Sequence, residues 1–343
     1  MEATKMKKEV TPVLKDYKSK QLSLFQELLF NTADEKSALS RTIELWDASP
    51  WCGFNRQRQA KIRRNGFLPS HIVDFRYDKI YFNMTIIPAR IQNKTGDEIE
   101  YYPSVREELI ESVLRKFTLE PGCGFQHKGG LGVSFTLHQV KKELKKSGHT
   151  CSIDQIKESL EILSRTKIII QSKEGLIKHE TSPLTSLTLV SRQQKNENST
   201  ALCHVTFNYL VAKSLSTIDY RQMNYAVMME NLNTQLARWL YKKICHRFKQ
   251  ASPIYTYNPS YIGIKRDSGM LSYSKTFKNV QYLESVFNEL KNNKILMGWD
   301  IKNKEFGHRN TILNIHYQLR PSIELCAEIK RANKNETDLK NKI

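Results

Sequence analysis

Apolar residues recur at helical spacing in two separate stretches of the chain, and each stretch continues into short apolar strands. In the first stretch, Ser104 and Glu107 form a capping box that predicts the start of a helix. Thr136 and Ser152 are predicted to cap a second and a third helix. The first stretch is therefore predicted to begin with three helices, whose inward residues are Val105, Leu109, Val113 and Phe117, then Leu137, Val140 and Leu144, then Ile153, Ile156, Leu160 and Leu163.

Strands are predicted on both sides of these helices. Before them, 72–92 is rich in β-branched and aromatic residues and is followed by a turn at Gly96-Asp97. After them, an apolar strand at 167–170 leads into a polar hairpin from Gly175 to Pro183, and a strand at 187–190 returns. Helix, helix, helix, strand, loop, strand is the order of a winged helix-turn-helix.

The same order is predicted again about 130 residues later. Asn231 or Asn233 is expected to cap the first helix of this stretch, and Asn258-Pro259-Ser260 to open the second. A third helix is expected from about Ser274. A strand, a wing and a returning strand are then predicted at 295–299, 302–309 and 312–317.

The predicted fold class is α+β, with two tandem winged helix-turn-helix domains and a flexible basic N-terminal arm. The segment 191–200 is polar and is predicted to be a linker or an exposed loop. The predicted division is a flexible arm over 1–45, a first winged-helix domain with an N-terminal strand extension over 46–192, a second winged-helix domain over 200–322 and a charged tail over 323–343.

The net charge of the chain indicates which class of molecule it binds. The chain has 54 Lys and Arg against 35 Asp and Glu, so its formal net charge is +19. Such an excess favours a polyanionic partner, and nucleic acid is the first candidate. The 39% hydrophobic content supports packed cores, while no apolar run is long enough to cross a membrane and no secretory signal is evident. The six cysteines are widely spaced, which predicts reduced thiols in a cytoplasmic protein.

Enzymatic chemistry is not expected. The segment from Gly122 to Gly130 has phosphate-loop spacing at Gly124 and Gly129, but Gly130 and Leu131 stand where the Lys and hydroxyl residue would be. It is predicted to be a loop before a helix. No carboxylate cluster is typical of a two-metal nuclease, and the scattered His and Cys do not form a zinc motif. We therefore predict no catalytic residues, no metal and no cofactor.

The third helix of a helix-turn-helix lies in the major groove, where its exposed residues contact bases. In the second stretch this helix and its wing offer cationic and amide groups, and no acid occurs before Glu284. The alternative is a solvated polar face. The predicted DNA-binding residues here are Lys275, Thr276, Lys278, Asn279, Gln281 and Tyr282 on the helix, and Lys302, Lys304 and Arg309 on the wing.

The third helix of the first stretch is less suited to DNA because Asp154 and Glu158 accompany its Gln155 and Lys157. The preceding helix carries Lys141, Lys142, Lys145 and Lys146. We predict either contact with the DNA backbone through these residues or a part in self-association. A third basic cluster, which suits a phosphate backbone or alternatively a solubilising loop, consists of Arg56, Arg58, Lys61, Arg63 and Arg64.

A short motif follows the lysine-rich N-terminus. The pentapeptide Gln21-Leu22-Ser23-Leu24-Phe25 resembles the clamp-binding motif of bacterial replication proteins. In peptide-in-groove recognition, Leu24 and Phe25 would enter an apolar pocket of the replicative sliding clamp while Gln21 hydrogen-bonds a second subsite. The alternative is an amphipathic helix that docks Leu22, Phe25, Leu28 and Leu29 on the first domain.

Together, the tandem winged helices, the pentapeptide and the segment Leu236-Ala237-Arg238-Trp239-Leu240-Tyr241 resemble plasmid replication initiators of the Rep type, close to the TrfA-like group. The resemblance implies a bacterial, plasmid-associated protein that binds repeated origin sites (iterons) in duplex DNA and melts an adjacent AT-rich region. It also implies recruitment of helicase, host initiator and polymerase components, and control of copy number through a monomer–homodimer balance. The alternative is a winged-helix transcriptional repressor, and a nickase or nuclease is a third, remote class.

Overall fold

The computed structural model describes residues 39–77, 80–92, 95–127, 130–174, 178–190, 202–216, 220–248 and 252–340. The pentapeptide 21–25 and the segment 191–200 lie outside these described residues. The N-terminal elements are β1 (Leu39–Ile43), α1 (Glu44–Ala48), α2 (Arg56–Ile62), β2 (His71–Tyr77), β3 (Ile80–Ile87), β4 (Ala89–Gln92) and β5 (Glu98–Tyr101).

Three helices and two hairpins then form the first winged-helix unit. Its elements are α3 (Val105–Phe117), β6 (Gly124–His127), β7 (Gly130–Phe135), α4 (Leu137–Lys146), α5 (Ile153–Arg165), β8 (Lys167–Ser172) and β9 (Lys178–Thr181). Capping boxes at Ser104, Thr136 and Ser152 confirm the three predicted helix starts. The wing hairpin β8–β9 extends into an antiparallel sheet of order β2-β3-β8-β9, because β3 pairs with β8.

Two details of the first unit differ from the sequence prediction. The strand that returns after β8 is β9 and not 187–190, since Ile170 pairs with His179. The segment from Gly122 to Gly130, expected as a loop, contains the strand β6 and the first residue of β7, which pairs with it. Gly132 in β7 has no room for a side chain, because a Cβ there would lie 2.3 Å from the Phe125 ring and 2.6 Å from the Val205 carbonyl oxygen.

Five further elements lie between β9 and the second unit. The elements are β10 (Leu184–Thr188), β11 (Cys203–Phe207), α6 (Tyr209–Ser216), β12 (Tyr220–Asn224) and a π-helical turn (Val227–Asn231). The sheet order is β10-β11-β7-β6, so β11, predicted to lie in the second domain, belongs to the sheet of the first unit. The first unit therefore continues past the predicted boundary at residue 200. β12 pairs with β1 near the start of the described chain.

The second winged-helix unit consists of α7 (Gln235–Arg247), α8 (Tyr261–Ser268), α9 (Thr276–Asn292), β13 (Leu296–Phe306) and β14 (Ile312–Pro321). Thr234, and neither predicted Asn, caps α7 by accepting a bond from the Ala237 amide. Ser260 caps α8 as predicted, and Gly269 ends it with φ +66°, a conformation that favours glycine. The predicted charged tail forms a further helix, α10 (Ile323–Lys340).

The two units share one hydrophobic core, and buried ion pairs cross between them. Arg238 of α7 is 1% exposed and its guanidinium lies 3.0 Å from the Glu108 carboxylate of α3. Lys242 of α7 lies 3.4 Å from Asp47 of α1, which also binds Arg115 of α3 at 2.8 Å. Burial alone would raise the pKa of Asp47, but Arg115 and Lys242 bring that pKa below its ordinary value. Such pairs fix one arrangement of the units, because each buried charge needs its partner.

Candidate nucleic-acid interface

The N-terminal half of α9 is held by a buried amide. Asn279 is fully buried; its side chain accepts a 2.9 Å bond from the Tyr273 amide and donates a 2.8 Å bond to the Tyr273 carbonyl. The turn between α8 and α9 is thereby fixed to the helix that follows. Asn279 was predicted to contact DNA, but it does not face outward as that role requires. It positions the turn instead.

Beyond this buried residue, α9 presents an open polar surface. Lys275, Lys278 and Gln281 are exposed and Thr276 is half-buried. Tyr282, also predicted to contact DNA, is half-buried with its ring edge-on to Tyr273 at a centroid distance of 6.2 Å, and burial raises its pKa. We call these residues together with Phe277 the α9 face, which consists of Lys275, Thr276, Phe277, Lys278 and Gln281.

Phe277 belongs to this face although the sequence prediction did not include it. Its side chain is 60% exposed, next to Lys278. An apolar residue off the buried stripe Val280, Leu283, Val286, Phe287 and Leu290 is the signal that could have identified it. A Phe ring in this position can contact the methyl group of thymine.

The two acidic residues of α9, Glu284 and Glu289, lie outside the α9 face. The Glu289 carboxylate accepts bonds from the Asn233 amide at 2.5 Å and from the Thr234 hydroxyl at 2.7 Å, at the N-terminus of α7. Burial raises the pKa of Glu284, while nearby Lys304 acts in the opposite direction. Both acids lie C-terminal to the exposed residues Lys275, Lys278 and Gln281.

The wing of the second unit lies along α9. The Trp299 indole on β13 donates a 2.9 Å bond to the Asn288 side chain of α9. The predicted wing residues Lys302, Lys304 and Arg309 are all exposed, and Arg309 stands at the tip in the left-handed region with φ 57°. The wing acid Glu305 lies 2.8 Å from the His316 ring. These cations extend the basic surface beyond the α9 face.

The corresponding helix of the first unit, α5, is partly covered. The β4–β5 hairpin packs on it, burying Ala89 and Ile91 against Ile162. A cleft of about 350 Å³ between hairpin and helix is lined by the acids Asp154, Glu158 and Glu161, and also by Gln155 and Lys157. The Gln155 side-chain oxygen accepts a 2.8 Å bond from the Ser152 amide, and Glu158 pairs with Arg106.

The remaining predicted cations divide into free and engaged groups. On α4, Lys141, Lys142, Lys145 and Lys146 are exposed. In the cluster around α2, Arg56 lies 2.8 Å from Glu107, Arg58 stacks over Phe54 at 4.4 Å and Arg63 donates to the Glu100 carbonyl at 2.8 Å. Arg64 and Lys61 are exposed. Much of the α2 cluster is therefore tied into the first unit, whereas the α4 lysines face solvent.

Within the described residues, no group of three or more His, Cys, Asp and Glu side chains could hold a metal ion. None of the six cysteines, all of which lie in the described ranges, forms a disulfide. Among the helices of the described part, none has both the length and the apolar character needed to span a bilayer.

No protein-family model and no curated protein matches this sequence. Among solved structures, the chain is similar to a crystal structure of domains 2 and 3 of RctB, with a TM-score of 0.48 and 9% identity over 82% of this chain and 97% of that one. It is also similar to the Pi initiator protein in complex with iteron DNA, with a TM-score of 0.42 and 11% identity over 69% of this chain and 98% of that one. The two winged-helix units follow from the helix order and strand pairing of the chain itself.

Proposed function

We propose that this chain is a non-enzymatic initiator of plasmid replication that binds repeated sites in duplex origin DNA through the α9 face and its wing. The observation that carries the proposal is the α9 face itself, which combines exposed Lys278 and Gln281 with no acid before Glu284. Gln can bond adenine with two hydrogen bonds, and Lys can bond guanine or phosphate. The wing cations Lys302, Lys304 and Arg309 suit phosphates beside the groove.

The initiator role, as opposed to DNA binding in general, is supported by the sequence. The pentapeptide 21–25 resembles a clamp-binding motif, and Leu236–Tyr241 is similar to the corresponding segment of Rep-type initiators. That second segment is buried in α7, where Arg238 pairs with Glu108 of the first unit. Its similarity therefore concerns how the units are joined rather than how bases are contacted.

Footprinting on the DNA that flanks the chain's own gene tests the proposal. An initiator is expected to protect several direct repeats and to make a neighbouring AT-rich segment reactive to permanganate, because the segment is melted. A repressor, the second candidate, uses the same α9 face but is expected to protect a promoter site without opening it. Cleavage of supercoiled DNA in the presence of Mg²⁺ would contradict both.

Recruitment of the sliding clamp needs a separate experiment. Leu24→Ala with Phe25→Ala is expected to abolish capture of the clamp while DNA binding is unchanged. Leu28→Ala with Leu29→Ala is the matched control, because both residues lie outside the pentapeptide. If the second variant loses the clamp as fully as the first, or if the first retains it, the segment does not act as a clamp-binding peptide.

We further propose that the first unit supports DNA binding through the α4 lysines Lys141, Lys142 and Lys145, and not through α5. Phosphate contacts position a protein on DNA without selecting its sequence. Replacing the three lysines with Gln is expected to weaken binding to specific and scrambled duplexes by the same factor. A change in the ratio of the two affinities would contradict this assignment.

A further inference from the structure

The wing of the second unit ends in two exposed apolar side chains. Phe306, the last residue of β13, and Leu313, the second residue of β14, are each 54% exposed. The turn 307–311 lies between them and forms the tip of the wing. We call Phe306 and Leu313 the apolar tip pair. Neither side chain belongs to the hydrophobic core, and neither can bond a phosphate, so the wing needs a further contact to account for them.

A β-bulge directs Leu313 outward. Glu305 pairs with Asn314, whereas the next residue of β13, Phe306, pairs with Ile312. Leu313 is therefore one extra residue on β14. A bulge of this kind turns a side chain out of the regular alternation of its strand. The exposure of Leu313 thus follows from the pairing of the hairpin itself.

Hydrogen bonds and close packing hold the tip in one conformation. The Gly307 amide donates a 2.8 Å bond to the Thr311 carbonyl, and the Thr311 hydroxyl donates a 2.7 Å bond to the His308 carbonyl. A Cβ on Gly307 would lie 3.0 Å from Cδ2 of Leu313, so the Leu313 side chain lies directly against the glycine. Side chains held in this way lose little conformational entropy on binding.

The bulge is also bonded to α8. Asn314, the neighbour of Leu313, is 8% exposed, and its side-chain oxygen accepts a 3.2 Å bond from the Ile262 amide at the start of α8. The position of the apolar tip pair is therefore fixed relative to the helices of the unit and does not depend on the hairpin alone.

The hairpin runs along α9 toward the half of that helix that carries the α9 face. Trp299, near the base of the hairpin, contacts Asn288, as described above. Lys304, closer to the tip, is near enough to Glu284 to oppose the rise in its pKa. Because Glu284 lies one turn before Asn288, the tip points toward the N-terminal half of α9. With α9 in the major groove, the tip would lie beside the adjacent groove.

The charges around the tip pair favour DNA over an apolar protein surface. Both acids of the hairpin are engaged, since Asp300 pairs with Arg320 and Glu305 lies 2.8 Å from the His316 ring. The predicted wing cations exposed on the same hairpin are Lys302, Lys304 and Arg309. Duplex DNA presents phosphates along its grooves and an apolar base stack between them, which matches apolar side chains flanked by cations.

We propose that the apolar tip pair is a wedge that enters the minor groove beside the α9 site, partly separates two stacked base pairs and kinks the duplex. The inference rests on the proposed function, because it needs α9 in the major groove. Phe and Leu are among the residues that proteins insert between base steps, with kinks of roughly 20–90°. Pyrimidine–purine steps such as TA unstack most easily, so we expect the wedge to lie at such a step.

The test compares Phe306→Ala with Leu313→Ala, as a double variant, against Met297→Ala with Ile323→Ala. The control side chains are 55% and 70% exposed and lie outside the tip. Energy transfer between dyes at the two ends of the footprinted duplex measures the bend angle at saturating protein, so that weaker binding does not lower it. The wild type and the control are expected to bend the duplex by about 20° or more. The tip variant is expected to lose most of this bend.

Two further variants separate the wedge from misfolding and from charge. Phe306→Leu with Leu313→Met retains apolar bulk and is expected to keep the bend. Lys302→Gln with Lys304→Gln is expected to weaken binding most at low salt, because phosphate contacts are lost, and to leave the bend at saturation unchanged.

Unstacking is measured separately with 2-aminopurine placed at each adenine of the site in turn. Its fluorescence is expected to rise at one base step with the wild type and at none with the tip variant. An equal bend in wild type and tip variant overturns the proposal, and so does a wild type that neither bends nor unstacks the duplex. An unchanged bend together with lost self-association of the tip variant would assign the pair to a contact between copies of the chain.

Failure of the wedge and failure of the proposed function give different results. A protected origin site without a bend overturns only the wedge. If no site is protected at all, the proposed function fails, and the same angle measured on a mixed-sequence duplex still tests the wedge.

Discussion

Helices α5 and α9 occupy the same place in two copies of one motif, yet their outward surfaces differ. On α9, Lys278 and Gln281 face solvent, and Glu289 is bonded to the start of α7. On α5, Glu158 pairs with Arg106, and the β4–β5 hairpin packs along the helix. A repeated topology therefore does not imply a repeated DNA contact, because what covers a helix decides what it can bind.

The wings of the two units also differ, both in length and in the pairing of their cations. In the first unit, Lys167 and Lys178 both bind Glu180, at 2.6 and 2.9 Å, and these bonds lower the pKa of Glu180 to about 2. Those two cations are thus partly neutralised within the hairpin. In the second unit, β13 and β14 form a longer hairpin, and Lys302, Lys304 and Arg309 are exposed along it. The second unit is better suited to contact bases and phosphates together.

The largest expected effect separates the two helices directly. Lys278→Ala with Gln281→Ala is expected to lose about 2–6 kcal/mol of specific binding, since a good base contact is worth roughly 1–3 kcal/mol. The equivalent change on α5, Gln155→Ala with Lys157→Ala, is expected to alter affinity no more than about threefold. Titration of the footprinted duplex with each protein measures both. Equal losses would mean that α5 contacts bases as well.

The next effect concerns the joint between the units. Glu108→Gln leaves the Arg238 guanidinium buried without its counter-charge, so the free energy of unfolding is expected to fall by about 3–5 kcal/mol. Glu98→Gln is the control, because its pair with Arg90 is exposed and spans 3.4 Å. That change is expected to cost less than about 1 kcal/mol. Urea unfolding measures both, and similar losses would remove the buried pair from the account of how the units are held.

A smaller effect separates positioning from contact on α9. Asn279→Ala is expected to lower the free energy of unfolding by about 1–3 kcal/mol, because the Tyr273 amide and carbonyl lose their partner. Gln281→Ala, two residues further on and exposed, is expected to change stability by less than about 0.5 kcal/mol while it weakens DNA binding. Thermal unfolding and a binding titration on both variants decide this. A stable Asn279→Ala protein would mean that the turn does not depend on this side chain.

The smallest effect concerns Phe277. If its ring contacts a thymine methyl, Phe277→Ala is expected to cost about 1 kcal/mol, or roughly fivefold in affinity, because about one methyl-sized contact is lost. Replacing each thymine of the footprinted site by uracil removes that methyl without other change. The wild type should then lose affinity at one position and the variant at none. Loss at the same position in both would assign the contact to another residue.

Several elements could be predicted from local sequence because their signals are local. The capping boxes at Ser104, Thr136 and Ser152, and the glycine end of α8 at Gly269, need only neighbouring residues. Strand partners could not be predicted in the same way. Residues 187–190 are mostly apolar and β9 is polar, yet β9 is the strand that pairs with β8, while Leu187 and Thr188 pair with β11.

The candidate site shows the same limit. Helical spacing places Lys278 and Gln281 on the side away from the buried stripe, so their exposure follows from the sequence. Asn279 is as polar as Gln281 but stands four residues before the buried Leu283, on the inward side of the helix, and its bonds to Tyr273 show what it does there. The positive charge of the α2 cluster is evident from the sequence, whereas the ion pair of Arg56 depends on Glu107, which is 51 positions away.

By itself, the sequence determined the two runs of three helices, the basic balance and the cationic α9 surface, because periodicity, capping and charge are local properties. Only the tertiary structure decided which strands pair in the first unit, that the β4–β5 hairpin covers α5 and that Arg238 and Glu108 join the units. These contacts join residues far apart in the chain. Their formation depends on packing a shared core, which no local pattern specifies.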